Sequence, residues 1–124
     1  MTDMIWVRFE RYGFHRYPDA PNAVDYLKHP HRHKFYFKVH IEVFHNDREI
    51  EFHMFLNWLL SLYDESNLQL DYKSCEMMID DLAAKIGEAY PNRFFKIDVS
   101  EDNECGAVKE FAPRNLSLAR AAIL

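Results

Sequence analysis

The chain has 124 residues, of which 48% are hydrophobic and 15% aromatic, with only three glycines. This size and composition predict a single folded domain over residues 1–124 and exclude a low-complexity protein. The formal net charge is −5, so the broad positive field that favours nucleic-acid binding is missing. The chain has no apolar run of about 18 residues, which a membrane span would need, and no secretory leader is evident. We therefore expect a cytoplasmic protein without nucleic-acid or membrane partners.

The first half of the chain predicts two antiparallel strands. Apolar side chains alternate along residues 5–10 and again along residues 35–43, which is the period of a strand with one buried face. Residues 13–30, with Gly13 and three prolines, predict a long loop. After a turn, residues 49–52 predict a short extended piece that pairs back before a helix.

The second half predicts two helices followed by two strands. Residues 53–63 are rich in Leu and predict a buried helix, and residues 64–73 predict a polar loop. Ser74 is a favourable N-cap and Glu76 suits the positive end of a helix dipole, so a second helix begins there and ends before Pro91. Residues 94–99 and 106–111 predict strands on either side of an acidic loop.

The predicted order is therefore ββααββ. Strands on either side of a helix pair indicate an α+β fold in which both helices cover one face of an antiparallel sheet. Residues 112–124 are expected to form a C-terminal tail, either a docked helix or a subunit contact.

Histidines are the strongest chemical signal, with seven in the chain. Residues i and i+2 of a strand point to the same side, so His31 and His33 are expected to present their imidazoles together. His15 follows the first strand and lies near them if the two strands are antiparallel neighbours. Three imidazoles with an open fourth position are a recurrent zinc arrangement, which makes these three the candidate metal ligands. The alternative is a partly exposed histidine pair at a strand edge, and His29 is a candidate for a position behind the ligands.

The order of motifs resembles that of the 6-pyruvoyl-tetrahydropterin and 6-carboxytetrahydropterin synthases over residues 5–111. Five segments stand where the family has its first ligand histidine, HGH, DF, TxE and V-x-E: His15-Arg16-Tyr17, His31-Arg32-His33, Glu51-Phe52, Ser74-Cys75-Glu76 and Val99-Ser100-Glu101. The three histidines in the family's order are the specific part of the resemblance.

The resemblance implies a T-fold, in which the sheets of a trimer or hexamer join edge to edge into a barrel with active sites at the subunit interfaces. It also implies a zinc-dependent lyase acting on a reduced pterin such as 7,8-dihydroneopterin triphosphate, or on a related purine-derived compound. Glu101 would anchor the pterin by accepting paired hydrogen bonds from its amino and N3–H groups, with Ser74 and Glu76 also binding substrate. Nickel, cobalt and iron remain alternatives to zinc.

The chain departs from the family at two catalytic positions. Leu27 stands where the family has its proton-abstracting cysteine. The LDHxxLN motif matches residues 63–69, where Glu65 replaces the proton-shuttling histidine, and residues 70–72 are an alternative match that also lacks it. Asp64 and Glu65 are therefore the candidate acid and base, since neighbouring carboxylates can have raised pKa values.

The two cysteines and the loss of the family's catalytic groups leave other functions open. Cys75 and Cys105 form no CxxC pair and are expected to be reduced and structural. An inactive homologue that binds a pterin- or guanine-like ligand is the second hypothesis. An interaction protein with a purely structural metal is the third.

Overall fold

The computed structural model of the protein describes residues 2–114. In that part of the chain one mixed sheet of five strands, in the order β3-β1-β2-β4-β5, is accompanied by three helices. The elements in chain order are β1 (Met4–His15), a 3₁₀ helix (Asn22–Lys28), β2 (His31–Glu42), α1 (Phe52–Ser61), β3 (Asn67–Asp71), α2 (Cys75–Ala89), β4 (Phe95–Glu101) and β5 (Cys105–Phe111). The predicted α+β class is confirmed, and the predicted tail lies outside the described residues from position 115 onward.

The long strands β1 and β2 form the antiparallel pair that the alternating pattern predicts. Their register aligns Phe9 with Phe37 and His15 with His31. The odd-numbered residues of β2 from Phe35 to Ile41 have no exposed surface. β1 runs further than predicted because its last residues pair with β2 on one side and β3 on the other. His15 is therefore the last residue of a strand and not part of a loop.

The predicted polar loop at residues 64–73 contains β3, which pairs in parallel with β1. Leu68 is buried in the core and Leu70 is partly buried against it, whereas Gln69 between them is exposed. Two apolar positions in five residues are too short a pattern to identify a strand from sequence. The order of elements is ββαβαββ, so the predicted ββααββ order and the purely antiparallel sheet are wrong here.

The two α-helices begin at residues whose side chains cap them. Ser74 accepts a hydrogen bond from the Met77 N–H at 3.2 Å, as predicted for the start of α2. Glu51 accepts bonds from the first N–H groups of α1, so residues 49–52, predicted to be extended, lead into a helix instead. Phe55 of α1 and Leu82 of α2 belong to the same core cluster as the buried face of the sheet. Both helices therefore pack on that face. Among residues 2–114 no helix is long and apolar enough to cross a membrane.

β4 and β5 form a tight hairpin that extends the sheet beyond β2. β4 continues two residues past its predicted end, to Glu101, which pairs with Phe35 of β2. Asp102 and Asn103 turn the chain with φ angles of 54° and 59°, a conformation that Asp and Asn tolerate better than most residues. A Cβ at Gly106 would lie 2.3 Å from the Val99 carbonyl oxygen, so only glycine lets β5 approach β4 this closely.

Candidate metal centre

Three histidines meet where β1 ends and β2 begins. His15 pairs with His31 across the two strands, and His33 lies two residues further along β2 on the same face. The ring centroids are 4.6 Å apart for His15 and His31, 4.9 Å for His31 and His33, and 5.3 Å for His15 and His33. One ligand nitrogen from each ring lies within 4.8 Å of the other two. The three predicted ligands are therefore close enough to bind a single metal ion.

Each imidazole is oriented by an oxygen atom near its Nδ1. His15 Nδ1 is 2.9 Å from the Lys73 carbonyl, His31 Nδ1 is 2.8 Å from the His29 carbonyl, and His33 Nδ1 is 2.6 Å from Asp102 Oδ2. Carbonyl and ionised carboxylate oxygens only accept hydrogen bonds, so each Nδ1 carries a proton. In the neutral rings the Nε2 lone pairs are then left for a metal, which is how proteins usually hold metal-binding histidines.

Glu101 lies against two of these rings. Its Oε1 is 3.1 Å from His15 Nε2 and its Oε2 is 3.6 Å from His33 Nε2. The second distance is too long for a hydrogen bond, and His33 Nε2 is buried without a hydrogen-bond partner. A buried nitrogen left unpaired is destabilising unless something binds its lone pair. The donor set and this unpaired nitrogen fit a divalent metal ion.

The charges at the site also favour a cation. Burial opposes protonation of His15, but its hydrogen bonds to Glu101 and the Lys73 carbonyl and the Glu101 charge outweigh burial and raise its pKa. The hydrogen bond from His15, against the effect of burial and with help from the nearby imidazoles, lowers the pKa of Glu101. The Lys34 backbone N–H and then His33 lower the pKa of Asp102. Two ionised carboxylates therefore lie at the three imidazoles.

A pocket of about 520 Å³ opens beside the histidines, a size typical of small-molecule sites. His15, His31 and Glu101 form part of its wall. Ser74 and Glu76, predicted to bind substrate, line the same pocket from the start of α2. All three residues predicted to bind substrate therefore line one pocket, beside the candidate metal centre.

Two residues in the pocket wall bear on the position at which the resembled synthases carry a cysteine. Leu27 lines the pocket, so the position of the family's cysteine does face it, with an apolar side chain. Cys75 also lines it, but burial, with the nearby Glu101, Glu76 and Cys105, raises the pKa of its thiol to about 12. A thiol with that pKa stays protonated near neutral pH and is a poor nucleophile or base.

Asp64 and Glu65 lie elsewhere. They line a separate groove together with Glu10, Arg11 and Lys34. Their catalytic role therefore stays a prediction, and within one chain they do not line the histidine pocket.

The alternative match to the family's motif, residues 70–72, lies beside the histidines. Asp71 aligns with His15 across β3 and β1, and its Oδ1 accepts a 2.7 Å hydrogen bond from Arg16 Nε. Tyr72 lines the histidine pocket. Of the two matching segments, this one has a residue in the wall of the histidine pocket and residues 64–65 do not.

The sequence reasoning missed Asp102 and the Lys73 carbonyl. Asp102 belongs to an acidic stretch that reads as a solvated loop, and only the pairing of Phe35 with Glu101 shows that it reaches His33. A backbone carbonyl carries no side-chain signal at all. His29, a candidate for a position behind the ligands, holds such a position through its carbonyl oxygen.

Comparison with known proteins adds no assignment to this picture. No protein-family model matches the chain, and no curated protein matches it. The order of motifs and the geometry of the histidine pocket are therefore the observations on which a function has to be built.

Proposed function

We propose that this protein is a zinc-dependent lyase of the pterin-synthase type, acting on a reduced pterin such as 7,8-dihydroneopterin triphosphate or on a related purine-derived compound. The observation that carries the proposal is the set of three imidazoles, each with its Nδ1 engaged, two of which line a pocket whose wall also contains Glu101. The motif order around these residues supports the same family.

Zinc is the proposed metal because three nitrogen ligands with a further position available are its common catalytic arrangement. When bound, it supplies a Lewis acid that polarises a hydroxyl or carbonyl oxygen of the substrate. The chain's own contribution is to hold the three rings in the tautomer that presents Nε2. The Lys73 carbonyl, the His29 carbonyl and the Asp102 carboxylate do this.

Substrate binding is assigned to Glu101, Ser74 and Glu76. The two oxygens of Glu101 would accept the adjacent N–H groups of a pterin ring, a charge-assisted paired contact. Ser74, which caps α2, and Glu76, in the first turn of α2, line the same pocket. A ring bound by Glu101 would lie next to the histidines, which brings its side chain within reach of the metal.

The proposed acid–base pair requires a second subunit. Asp64 and Glu65 line a groove separate from the histidine pocket, so they can act on the same substrate only if a neighbouring chain supplies them. The sheet offers a route to such an assembly, because β3 and β5 are its outer strands in the described part of the chain. Edge strands that pair with neighbours would build the trimeric or hexameric T-fold barrel implied by the resemblance.

The second candidate function is a catalytically inactive homologue that binds a pterin- or guanine-like ligand. Leu27 in the pocket wall favours it, since no thiolate is available at that position. Cys75 does not replace it, because its thiol has a pKa of about 12. A positioned acid or base typically contributes roughly 10²- to 10⁴-fold in rate, so this loss bears directly on catalysis.

Three measurements on purified protein separate the candidates. Elemental analysis should give one zinc per chain, and zinc-loaded protein incubated with 7,8-dihydroneopterin triphosphate should form a tetrahydropterin product. Calorimetry with the same compound then reports binding. Binding without product selects the inactive homologue, whereas the absence of both metal and binding contradicts both candidates.

A variant tests the proposed acid–base role. Glu65→Gln should abolish turnover and leave the zinc content unchanged. Full activity in this variant would discard Glu65 as a catalytic residue and direct attention to Tyr72.

A further inference from the structure

We propose that Glu101 is the fourth ligand of the metal in the substrate-free protein, in addition to the substrate-anchoring role that the resemblance implies. The inference rests on the proposed three-histidine metal site. Glu101, on β4, would bind the metal directly, whereas the motif order gives the metal only histidine ligands.

The distances from Glu101 to two of the rings are close to those between neighbouring ligands of a tetrahedral site. Metal–ligand bonds of about 2.0–2.2 Å set the separation between ligand atoms of a tetrahedral zinc at about 3.3–3.6 Å. Glu101 Oε1 lies 3.1 Å from His15 Nε2, and Oε2 lies 3.6 Å from His33 Nε2. Two carboxylate oxygens thus lie near the positions that a fourth ligand would take relative to these two rings.

Hydrogen bonding alone does not explain the arrangement. A hydrogen bond from His15 Nε2 to Glu101 requires a second proton on the ring, because Nδ1 already donates to the Lys73 carbonyl, and a metal ion can take the place of that proton. For His33 even that bond is missing, because its Nε2 is buried and has no partner although a carboxylate oxygen lies 3.6 Å away. A cation between the carboxylate and the two nitrogens satisfies all three groups.

The backbone fixes Glu101 in this place. It is the last residue of β4 and pairs with Phe35, on the strand that carries His31 and His33. Directly after it, the Asp102 N–H donates to the Lys34 carbonyl at 2.8 Å, and Asp102 Oδ1 accepts from the Lys34 N–H at 3.0 Å. The close approach of β5 at Gly106 completes a short, well-paired hairpin. Strand pairing and hydrogen bonds therefore hold the Glu101 backbone on both sides, which is the support that a metal ligand needs.

The charge balance agrees with this assignment. Three neutral imidazoles leave the two positive charges of the ion uncompensated. The Glu101 carboxylate in contact with the ion and the Asp102 carboxylate behind His33 supply two negative charges. A substrate that binds the metal then has to displace Glu101, and a ligand with two adjacent N–H groups is suited to draw that carboxylate away.

The test compares Glu101→Gln with Glu76→Gln. Both variants remove one negative charge from the wall of the same pocket, but only Glu101 contacts the histidines. Zinc affinity is measured by competition with a chromophoric chelator, and the cobalt-substituted proteins are compared by visible absorption. We expect Glu101→Gln to lower zinc affinity at least about tenfold and to change the cobalt spectrum, with neither effect in Glu76→Gln.

Azide supplies a test on the unmodified protein. In the cobalt-loaded wild type Glu101 should keep millimolar azide from changing the spectrum, whereas cobalt-loaded Glu101→Gln should respond. A wild-type spectrum that responds to azide like the variant's, or unchanged zinc affinity in Glu101→Gln, overturns the role of Glu101 and leaves the three-histidine site standing. Failure of the wild type to bind zinc or cobalt overturns the proposed metal site along with it.

Discussion

Two clusters of partly buried charged side chains lie at opposite ends of β2, and they differ in whether they are complete. At the end near Glu42, Arg93 binds both oxygens of Glu49 at 2.9 and 2.7 Å and also donates to the Glu42 carbonyl. The Phe44 N–H adds a 2.7 Å bond to Glu49. This is a bidentate pair that satisfies both side chains within the chain.

At the histidine end the side chains are also held by hydrogen bonds, but one ring nitrogen has no partner. Every Nδ1 has an acceptor, yet His33 Nε2 is buried without a hydrogen bond and Glu101 stands just beyond reach of it. In a structural ion pair the charged groups find their partners within the chain, whereas in a binding site one group is left without a partner until a ligand binds. Substitutions at the two ends should therefore differ in their effects on metal binding and on stability.

The largest effect is expected from His31→Ala. Apparent binding energies of about 10–16 kcal/mol for four-ligand zinc sites give each ligand a share of about 2.5–4 kcal/mol, so zinc affinity should fall roughly a hundredfold to a thousandfold. His29→Ala is the matched control, because it removes an exposed histidine ring and keeps the carbonyl that orients His31. Chelator competition measures both. Equal affinities in the two variants would mean that the histidine end is only a surface cluster.

A smaller effect on metal binding is expected from Asp102→Asn. Asparagine tolerates the φ of 54° at this position but has one acceptor oxygen, so it cannot serve both His33 and the Lys34 N–H. Loss of such an outer contact typically lowers metal affinity about 10- to 100-fold. Glu104→Gln removes the same charge from the same hairpin at an exposed position and should leave affinity unchanged. Equal losses in both would reduce the role of Asp102 to general electrostatics.

The contrast between the two ends also separates what the sequence predicts from what it does not. His31 and His33 were predictable as a pair because strand periodicity fixes them on one face. His15 followed from the antiparallel pairing of β1 and β2, which the alternating patterns also indicate. The first signal is the spacing of neighbouring residues and the second is the alternating pattern of two long strands, and the observed pairing of β1 with β2 agrees with both.

The missed features depend on packing between distant segments. β3 has one buried leucine and one partly buried leucine, and its pairing with β1 holds it in the sheet, so its own five residues carry too little pattern. Asp102 reaches His33 only because of the register between β2 and β4. Glu49 and Arg93, which are 44 residues apart in the sequence, connect a turn to the residues just before β4. Such contacts need the assembled sheet, and composition or spacing does not reveal them.

The ion pair at the other end should govern stability and not metal binding. Arg93 and the Phe44 N–H, against a small effect of desolvation, lower the pKa of Glu49 from 4.5 to about 2. Because the folded-state value is the lower one, the pair stabilises the fold above pH 4.5, and this contribution is lost as the pH falls towards about 2. Glu49→Gln should therefore lower the Tm of metal-free protein at pH 7, with a difference from wild type that shrinks in acid.

Asp47→Asn is the control for the effect of Glu49→Gln. Asp47 pairs with Arg48 at 2.6 Å, but both side chains are more than 80% exposed, so the loss of this pair should change the Tm very little. Zinc affinity should be the same in both variants at pH 7. A marked loss of zinc affinity in Glu49→Gln would show that the two ends of β2 are coupled.

The smallest effect on metal binding is expected from Cys75→Ala. Cysteine is a common zinc ligand as a thiolate, and this residue lines the pocket, but burial keeps it protonated with a pKa of about 12. Zinc affinity should change less than about threefold, which is below about 0.7 kcal/mol. Alkylation of the native wild type should likewise modify the exposed Cys105 well before Cys75. A tenfold loss of affinity, or protection of Cys75 from alkylation that depends on zinc, would add a thiolate from α2 to the metal ligands and contradict the assignment of the fourth position to Glu101.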